Sequence, residues 1–397
     1  MPPVSAILQR LEESATLAMA RKSRELTAAG FDVISLSLGE PDFNTPNYIK
    51  QAAIEAIEQN VSKYPPVNGF LDVREAISAK FKRDNGLFYT ANQIVISTGA
   101  KQSIINVILS LVNPGDEVIL LAPYWVSYRE MVNIAGGNCV VVNADIERNF
   151  KVNAAEIQAA VTPKTKLIIF SSPCNPTGSV YSRSELESIA QVVLAQPDLY
   201  IISDEIYEHI NFAGDHFSIA SVPGMAERTV TVNGVSKAFA MTGWRIGYIG
   251  APQWIADACT KIQGQFTSGA NTIAQKATKA AVLADPTETH HMRDAFKRRR
   301  DLVVSKLKEI KGLGVNHPDG AFYLFPDVSH FLGKSVNGKT IHTAAELCTY
   351  ILETVYVAVV DGEAFGAPSC IRLSYATSDE LLIEAISRIK KALEQLS

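Results

Sequence analysis

Seven short apolar runs, each closed by a turn or polar residue, recur through the middle of the chain, and no other feature limits its possible folds as strongly. They are IVISTGA from Ile94, EVILLAP from Glu117, NCVVVNA from Asn138, KLIIFSSP from Lys166, YIISDE from Tyr200, TVTVNG from Thr229 and RIGYIGAP from Arg245. Between many of them lie stretches such as KQSIINVILSLV and RSELESIAQVVLA, whose apolar residues return every three or four positions. Near-continuous apolar runs read as strands buried on both faces, and the helical period between them reads as crossover helices. The expectation is an α/β domain with a mostly parallel central sheet. Ligands of such sheets bind beyond the carboxyl ends of the strands, which is where the unusual residues of this chain fall.

After Ala270 the texture changes. A charged helical segment over roughly 286–310 precedes the β-like runs AFYLFP, VYVAVV and IRLSYA, and an amphipathic helix starts at Asp379. This reads as a second, smaller α+β domain. The first 30 residues read as helical, and VISLSLGEPDF reads as a strand turning into a loop. The expected division is 1–46 as an arm and segment packing with the small domain, 47–285 as the large domain, and 286–397 as the small domain. A chain of 397 residues with 47% hydrophobic content can bury cores of this size.

Charge narrows the function classes. With 37 basic and 41 acidic residues well mixed, for a net charge of −4, the chain has neither a nucleic-acid footprint nor a polybasic membrane patch. Five widely spaced cysteines without a CxxC pair imply a reducing compartment and argue against a zinc site, so no metal is expected. The start MPPVSAILQRLEES carries acids where a signal peptide needs an apolar run, and no segment reaches the ~18 apolar residues of a membrane span. A cytoplasmic protein is expected.

Four features at the strand ends carry chemistry. Lys237 follows the strand expected at 229–233 through a loop, Gly234-Val235-Ser236, so its amine can project into a crevice. A lysine shielded from water near other cations loses proton affinity, which imine formation with an aldehyde requires; by itself such a lysine is also compatible with a surface position at a helix start. Asp204 and Glu205 close YIIS, where an acid can be a metal ligand, a general base, the partner of a protonated ring nitrogen, or a helix cap. STGAKQSIIN places small residues before a helix, so its first amides can face an anion, and Arg245 with the Ser236 hydroxyl can complete a phosphate site. The GxxxxGK[ST] and GxGxxG fingerprints are both absent, which argues against nucleotide chemistry of either kind.

Taken together, SSPCNPTG, SDEIYEH, NGVSKAFAMTGWRIGY and IRLSYA resemble the fold type I pyridoxal phosphate enzymes, specifically the class I aminotransferases and their aspartate aminotransferase subgroup. The similarity runs from SLGEPDF to the final helix. The resemblance implies that Lys237 holds the cofactor covalently and, once freed, moves the proton at the substrate Cα. It implies Asp204 as partner of the pyridine nitrogen, Tyr207 and Asn175 as donors to the phenolic oxygen, and Trp125 stacked on the ring. Phosphate contacts fall to the helix start Gly99-Ala100-Lys101, Ser236 and Arg245, with Tyr64 reaching across a homodimer interface. Arg372 would hold the substrate α-carboxylate, helped by Asn175 and the backbone around Gly39.

For the substrate side chain, the resemblance matches Lys101, supplied by the partner chain, and Ser14 and Thr16. It therefore implies exchange between aspartate or glutamate and 2-oxoglutarate or oxaloacetate by a ping-pong cycle; the alternative is an aromatic or prephenate aminotransferase of the same subgroup. Cys174 departs from the pattern, standing where relatives more often carry asparagine or histidine, and is expected only to fill space. Other readings are a pyridoxal phosphate elimination or decarboxylation, a regulator built on the same fold, and a nicotinamide oxidoreductase. The second lacks an appended DNA-binding domain and the third lacks its fingerprint.

Overall fold

The computed structural model describes residues 4–397, so the first three residues of the expected arm lie outside the described residues. All seven apolar runs become strands of one sheet. Across it the order is Ile94–Ser97, Gly247–Gly250, Thr229–Gly234, Tyr200–Asp204, Thr165–Ser171, Glu117–Ala122 and Asn138–Asn143. Gly247–Gly250 runs antiparallel to both neighbours, and the remaining pairs are parallel, as expected for the fold class.

The cause is burial on two sides. One face packs Val95, Val118, Leu120 and Leu167 against helices Ala100–Leu111 and Gln253–Phe266 through Ile104, Val107, Ile108, Ile255 and Cys259. The other packs Ile119, Ile168 and Ile201 against Ile157, Leu186, Ile189 and Val193 of helices Ala154–Ala160 and Arg183–Leu194. A strand enclosed in this way has no polar face to show, which explains the unbroken apolar runs. Helix starts are sharp where the sequence offers caps: Asn153 and Ser182 each form a capping box with a glutamate three residues on.

The C-terminal part carries a three-stranded antiparallel sheet with Ile371–Ser374 between Val360–Asp361 and Tyr323–Leu324. Helices His290–Leu307, Ala344–Val355 and Asp379–Leu393 cover it with Phe296, Val303, Leu347, Ile351, Ile386 and Ile389. The strand read in VISLSLGEPDF is only Ile34–Ser35, paired in parallel with Val357–Ala358, and Ile34 and Leu36 sit in the same core. The early helical reading corresponds to Ala6–Arg10 and Ala15–Ala28. The charged segment begins as a short turn of 3₁₀ helix, Pro286–Thr289, before the α-helix proper.

The loop after Leu36 ties the two cores together. Arg299, nearly buried, forms a two-pronged ion pair with Asp42 at 2.8 Å for each nitrogen, and Thr45 Oγ1 donates to the Ala240 carbonyl at 2.7 Å. Where Gly247–Gly250 passes the start of helix Ala100–Leu111, the backbones touch. A methyl group on Gly247 would lie 2.6 Å from Ala100 Cα and closer still to the Ala100 nitrogen. Both obstacles are main chain and cannot rotate away. Gly247→Ala is therefore expected to lower unfolding stability by about 1–3 kcal/mol, read as a lower urea midpoint with unchanged slope.

Candidate active site

The carboxyl ends of four neighbouring parallel strands open into one cavity of about 310 Å³, within the size of small-molecule sites. Each strand delivers a residue there. Glu117–Ala122 leads to Trp125, Thr165–Ser171 to Asn175, Tyr200–Asp204 ends on Asp204, and Thr229–Gly234 leads through a tight turn to Ser236 and Lys237.

Lys237 is half-buried, and its Nζ donates to the Gly39 carbonyl at 2.6 Å. Burial, reinforced by the nearby Arg372 and Arg245 cations and only partly opposed by Glu40 and Asp204, lowers its pKa to about 8. Asp204 is buried on the same wall. Its Oδ2 accepts from the Tyr128 hydroxyl at 2.7 Å and its Oδ1 from the Ile206 amide at 3.3 Å. Burial raises its pKa to about 6 against those two donors, so a cation placed beside it would be welcome.

Glu205, the other acid of the pair, turns elsewhere: it accepts from the Ser203 and Ser218 hydroxyls and meets His216 at 2.9 Å. The acids and histidines around Glu208 lie close enough to share an ion, but the Lys80 ammonium already sits against the Glu208 carboxylate.

Arg372 is 2% exposed, yet its hydrogen-bond partners are all neutral: Asn175 Oδ1 at 3.0 Å, the Ser37 carbonyl at 2.6 Å and Thr16 Oγ1 at 3.5 Å. Its Nε has no partner. A guanidinium withdrawn from water without a counter-charge is costly, and an anion entering the cavity would remove that cost.

The helix Ala100–Leu111 begins at the cavity with Gly99, which has a φ of +83° and no side chain to cap the free amides. That φ favours glycine, and a Cβ there would also meet the Arg245 guanidinium. Arg245 itself takes left-handed backbone, φ 57°, at the end of a short turn. Helix amides, Arg245 and the Ser236 hydroxyl thus surround one anion position.

Most residues singled out in the sequence meet here: Ser14, Thr16, Gly39, Ala100, Lys101, Trp125, Asn175, Asp204, Tyr207, Ser236, Lys237, Arg245 and Arg372 all line the cavity, with Gly99 immediately behind. Tyr64 does not; it is 93% exposed on the surface. Lys101 lines the cavity of its own chain, its ammonium 5.0 Å from the Trp125 ring. Cys174 is buried and directed at the Pro123 carbonyl, away from the cavity lining.

Among the lining residues that the sequence reading did not name, two hold its named site residues in place. Tyr128 holds Asp204, and its signal was its place three residues after Trp125 in APYWVSY. Tyr323, whose hydroxyl lies 2.8 Å from that of Tyr207, had no motif to announce it within AFYLFP.

This arrangement has known counterparts. The family description "Aminotransferase class I and II" matches residues 32–389. The chain belongs to this aminotransferase family. It is 48% identical over 395 residues to the bifunctional aspartate aminotransferase and glutamate/aspartate-prephenate aminotransferase of Petunia hybrida, covering 98% of this chain and 82% of that one. It is 47% identical to the aspartate/prephenate aminotransferase of Cereibacter sphaeroides, with 99% of each covered. Among solved structures, the Rhizobium meliloti aspartate aminotransferase superposes with a TM-score of 0.96 at 40% identity over the full length of both chains. The Thermus thermophilus aspartate aminotransferase with maleate gives 0.93 at 41%, covering 99% and 100%. The protein is thus a pyridoxal phosphate-dependent aminotransferase of fold type I, in the aspartate aminotransferase subgroup.

Two measurements follow on the cofactor-free protein. Because Lys237 carries a lowered pKa, its reaction with added pyridoxal phosphate should accelerate as pH rises through about 8, instead of near the 10.5 of an ordinary lysine, when followed by stopped-flow absorbance. Asp204 has the opposite consequence. Its folded pKa is raised, so its cost to folding is absent below the unfolded value of 3.8 and grows until pH passes about 6. Asp204→Asn should therefore stabilise the cofactor-free protein at pH 7, by on the order of 2 kcal/mol, with the gain fading towards pH 4 in thermal melts.

Proposed function

We propose that this aminotransferase moves amino groups between aspartate or glutamate and the corresponding 2-oxo acids. The observation that carries the reading is the presence of two cations, Arg372 and Lys101, on one cavity wall system without a carboxylate among their hydrogen-bond and ring partners. A dicarboxylic substrate has one anion for each. The Ser14 and Thr16 hydroxyls line the same cavity and can accompany Lys101 at the distal carboxylate. The relatives named above for aspartate, and the Thermus relative's complex with the dicarboxylate maleate, support this choice.

The donor set fits pyridoxal phosphate. The uncapped helix start Gly99-Ala100-Lys101, Ser236 and Arg245 suit the phosphate, Asp204 the ring nitrogen, and Asn175 and Tyr207 the phenolic oxygen, while Trp125 offers a ring face and Lys237 an amine for the aldehyde. When bound, the cofactor supplies an electron sink for the pair left behind when a proton departs from the substrate Cα. The chain's residues do the rest. Arg372, steadied by Asn175 and the Ser37 carbonyl, fixes the α-carboxylate in one plane, with the Gly39 backbone alongside. Lys237, with its lowered pKa, would take the substrate Cα proton and deliver it to the cofactor's former aldehyde carbon. Asp204, held by Tyr128, keeps the ring nitrogen protonated.

The same reading makes Tyr64 a contributor to a neighbouring subunit's phosphate site, in a homodimer with shared active sites. Its full exposure leaves it free to do so, and a second, more open concavity that shares Glu40, Thr242 and Arg245 with the first offers a place to receive a neighbour. We place the domain limits at 46/47 and 285/286, with 1–46 moving with the small domain, on the strength of the Ile34–Ser35 pairing. A cytoplasmic setting accords with five free cysteines, and no described helix is long and apolar enough to cross a membrane.

A second reading, use of prephenate or aromatic substrates, draws on Leu17, Leu38 and Trp125, which give the cavity apolar lining, and on the names of the Petunia and Cereibacter relatives.

The holoenzyme should distinguish them in single half-reactions with aspartate, glutamate, alanine, phenylalanine, tyrosine and arogenate, followed by loss of the Lys237-bound cofactor's absorbance. Aspartate and glutamate are expected well ahead; phenylalanine or arogenate ahead would reverse the assignment. Lys101→Ala should cut kcat/KM for aspartate by roughly tenfold or more while sparing phenylalanine, since only the former loses a charged partner. Equal losses would show that Lys101 does not select the side chain.

A further inference from the structure

Tyr323 stands where three parts of the site meet. It lies on strand Tyr323–Leu324, paired with the strand that carries Arg372, in register opposite Ser374. Its ring faces the Arg372 guanidinium at 4.7 Å. Its hydroxyl reaches the Tyr207 hydroxyl at 2.8 Å, and it occupies the space that a side chain on residue 39 would need, since a Cβ there would collide with it. Tyr323 is 1% exposed and Tyr207 3%. Burial raises the pKa of both phenols, so each carries its single proton at neutral pH.

That proton count fixes a direction. A phenol has one proton to donate, so if Tyr207 gives its proton to the cofactor's phenolic oxygen, the bond between the two tyrosines can only be filled by the Tyr323 proton. We propose that Tyr323 is a positioning residue that donates to the Tyr207 oxygen and thereby aims and polarises the Tyr207 hydroxyl toward the cofactor's phenolic oxygen. This rests on the placement of Tyr207 in the function proposed above.

A donor that itself accepts a hydrogen bond becomes a stronger donor. A stronger donor on the phenolic oxygen draws away the negative charge that otherwise holds a proton on the Lys237 nitrogen, so the bound cofactor titrates at lower pH. The strand pairing gives the relay a second property. Tyr323 comes from the same small sheet as Arg372, whereas Tyr207 follows the large sheet, so the hydrogen bond reports and enforces their registry.

The test is a pH titration of the holoenzyme's cofactor absorbance without substrate. Phenylalanine keeps the ring against Arg372 and removes only the hydroxyl. Tyr323→Phe should move the midpoint up by roughly 0.5 pH unit, Tyr207→Phe should move it further, and the double variant should match Tyr207→Phe alone. The charged groups lining the cavity, Glu40, Lys101, Asp204, Lys237, Arg245 and Arg372, are unchanged in all three.

Maleate affinity should change by less than about twofold in Tyr323→Phe, because the carboxylate clamp is intact. Incorporation of 3-fluorotyrosine at position 323, a more acidic phenol, should move the midpoint down, which also serves if the phenylalanine variant fails to retain cofactor. An unmoved midpoint in Tyr323→Phe beside a shifted one in Tyr207→Phe would overturn the relay alone, as would an equal shift in the Tyr207→Phe background. An unmoved midpoint in Tyr207→Phe would overturn the placement of Tyr207, and the relay with it.

Discussion

The uncompensated charge in the cavity governs the rest of the structure. Lys101, Lys237, Arg245 and Arg372 line one enclosed space, faced by only two carboxylates, Asp204 and Glu40. Like charges repel, and the buried Arg372 and half-buried Lys237 also lose hydration while Lys101 and Arg245 stay exposed, so the fold must hold them there by other means. Those means are visible. Arg372 is fixed by three neutral oxygens, Lys237 by the Gly39 carbonyl, and Arg245 by the Thr242 carbonyl at 3.0 Å and by the absence of a side chain on Gly99. The positive surplus is complementary to a phosphate and a substrate carboxylate, and it adds to the burial that brings the Lys237 amine towards its neutral form.

Much of this was legible in the sequence, for a physical reason. Strands enclosed on both faces leave an unambiguous apolar record, and a site built at their carboxyl ends falls at predictable points in the chain. Lys237 and Asp204 are placed by the strands they follow, Asn175 and Trp125 by the resemblance of their motifs, and the cavity gathers all four. The antiparallel course of Gly247–Gly250 was not readable, because a buried strand shows the same apolar run in either direction.

What the sequence hid were contacts between residues far apart in the chain. Tyr128 reaches Asp204 across 76 positions and Tyr207 reaches Tyr323 across 116, and no local pattern records either. The contact of Lys101 with the Trp125 ring was hidden for a related reason. Which way a side chain leaves the first turn of a helix depends on what it packs against, and that ring comes from another strand end. Tyr64 shows the converse: its place in a motif suggested a role, while its own chain leaves it in solvent.

The distribution of the site over both sheets has a consequence for how it works. Lys237, Asp204 and the helix start at Gly99 belong to the large sheet, and Arg372 and Tyr323 to the small one. The loop through Ser37, Gly39, Asp42 and Thr45 bonds to both, touching Arg372, Lys237, Arg299 and Ala240 in turn. On the function proposed above, a substrate carboxylate that engages Arg372 would act on the element whose Gly39 carbonyl holds the Lys237 amine. Binding energy gathered at the carboxylate is then available to set the position of the group that handles the proton, which is the coupling that an enzyme needs if affinity for substrate is to be turned into rate.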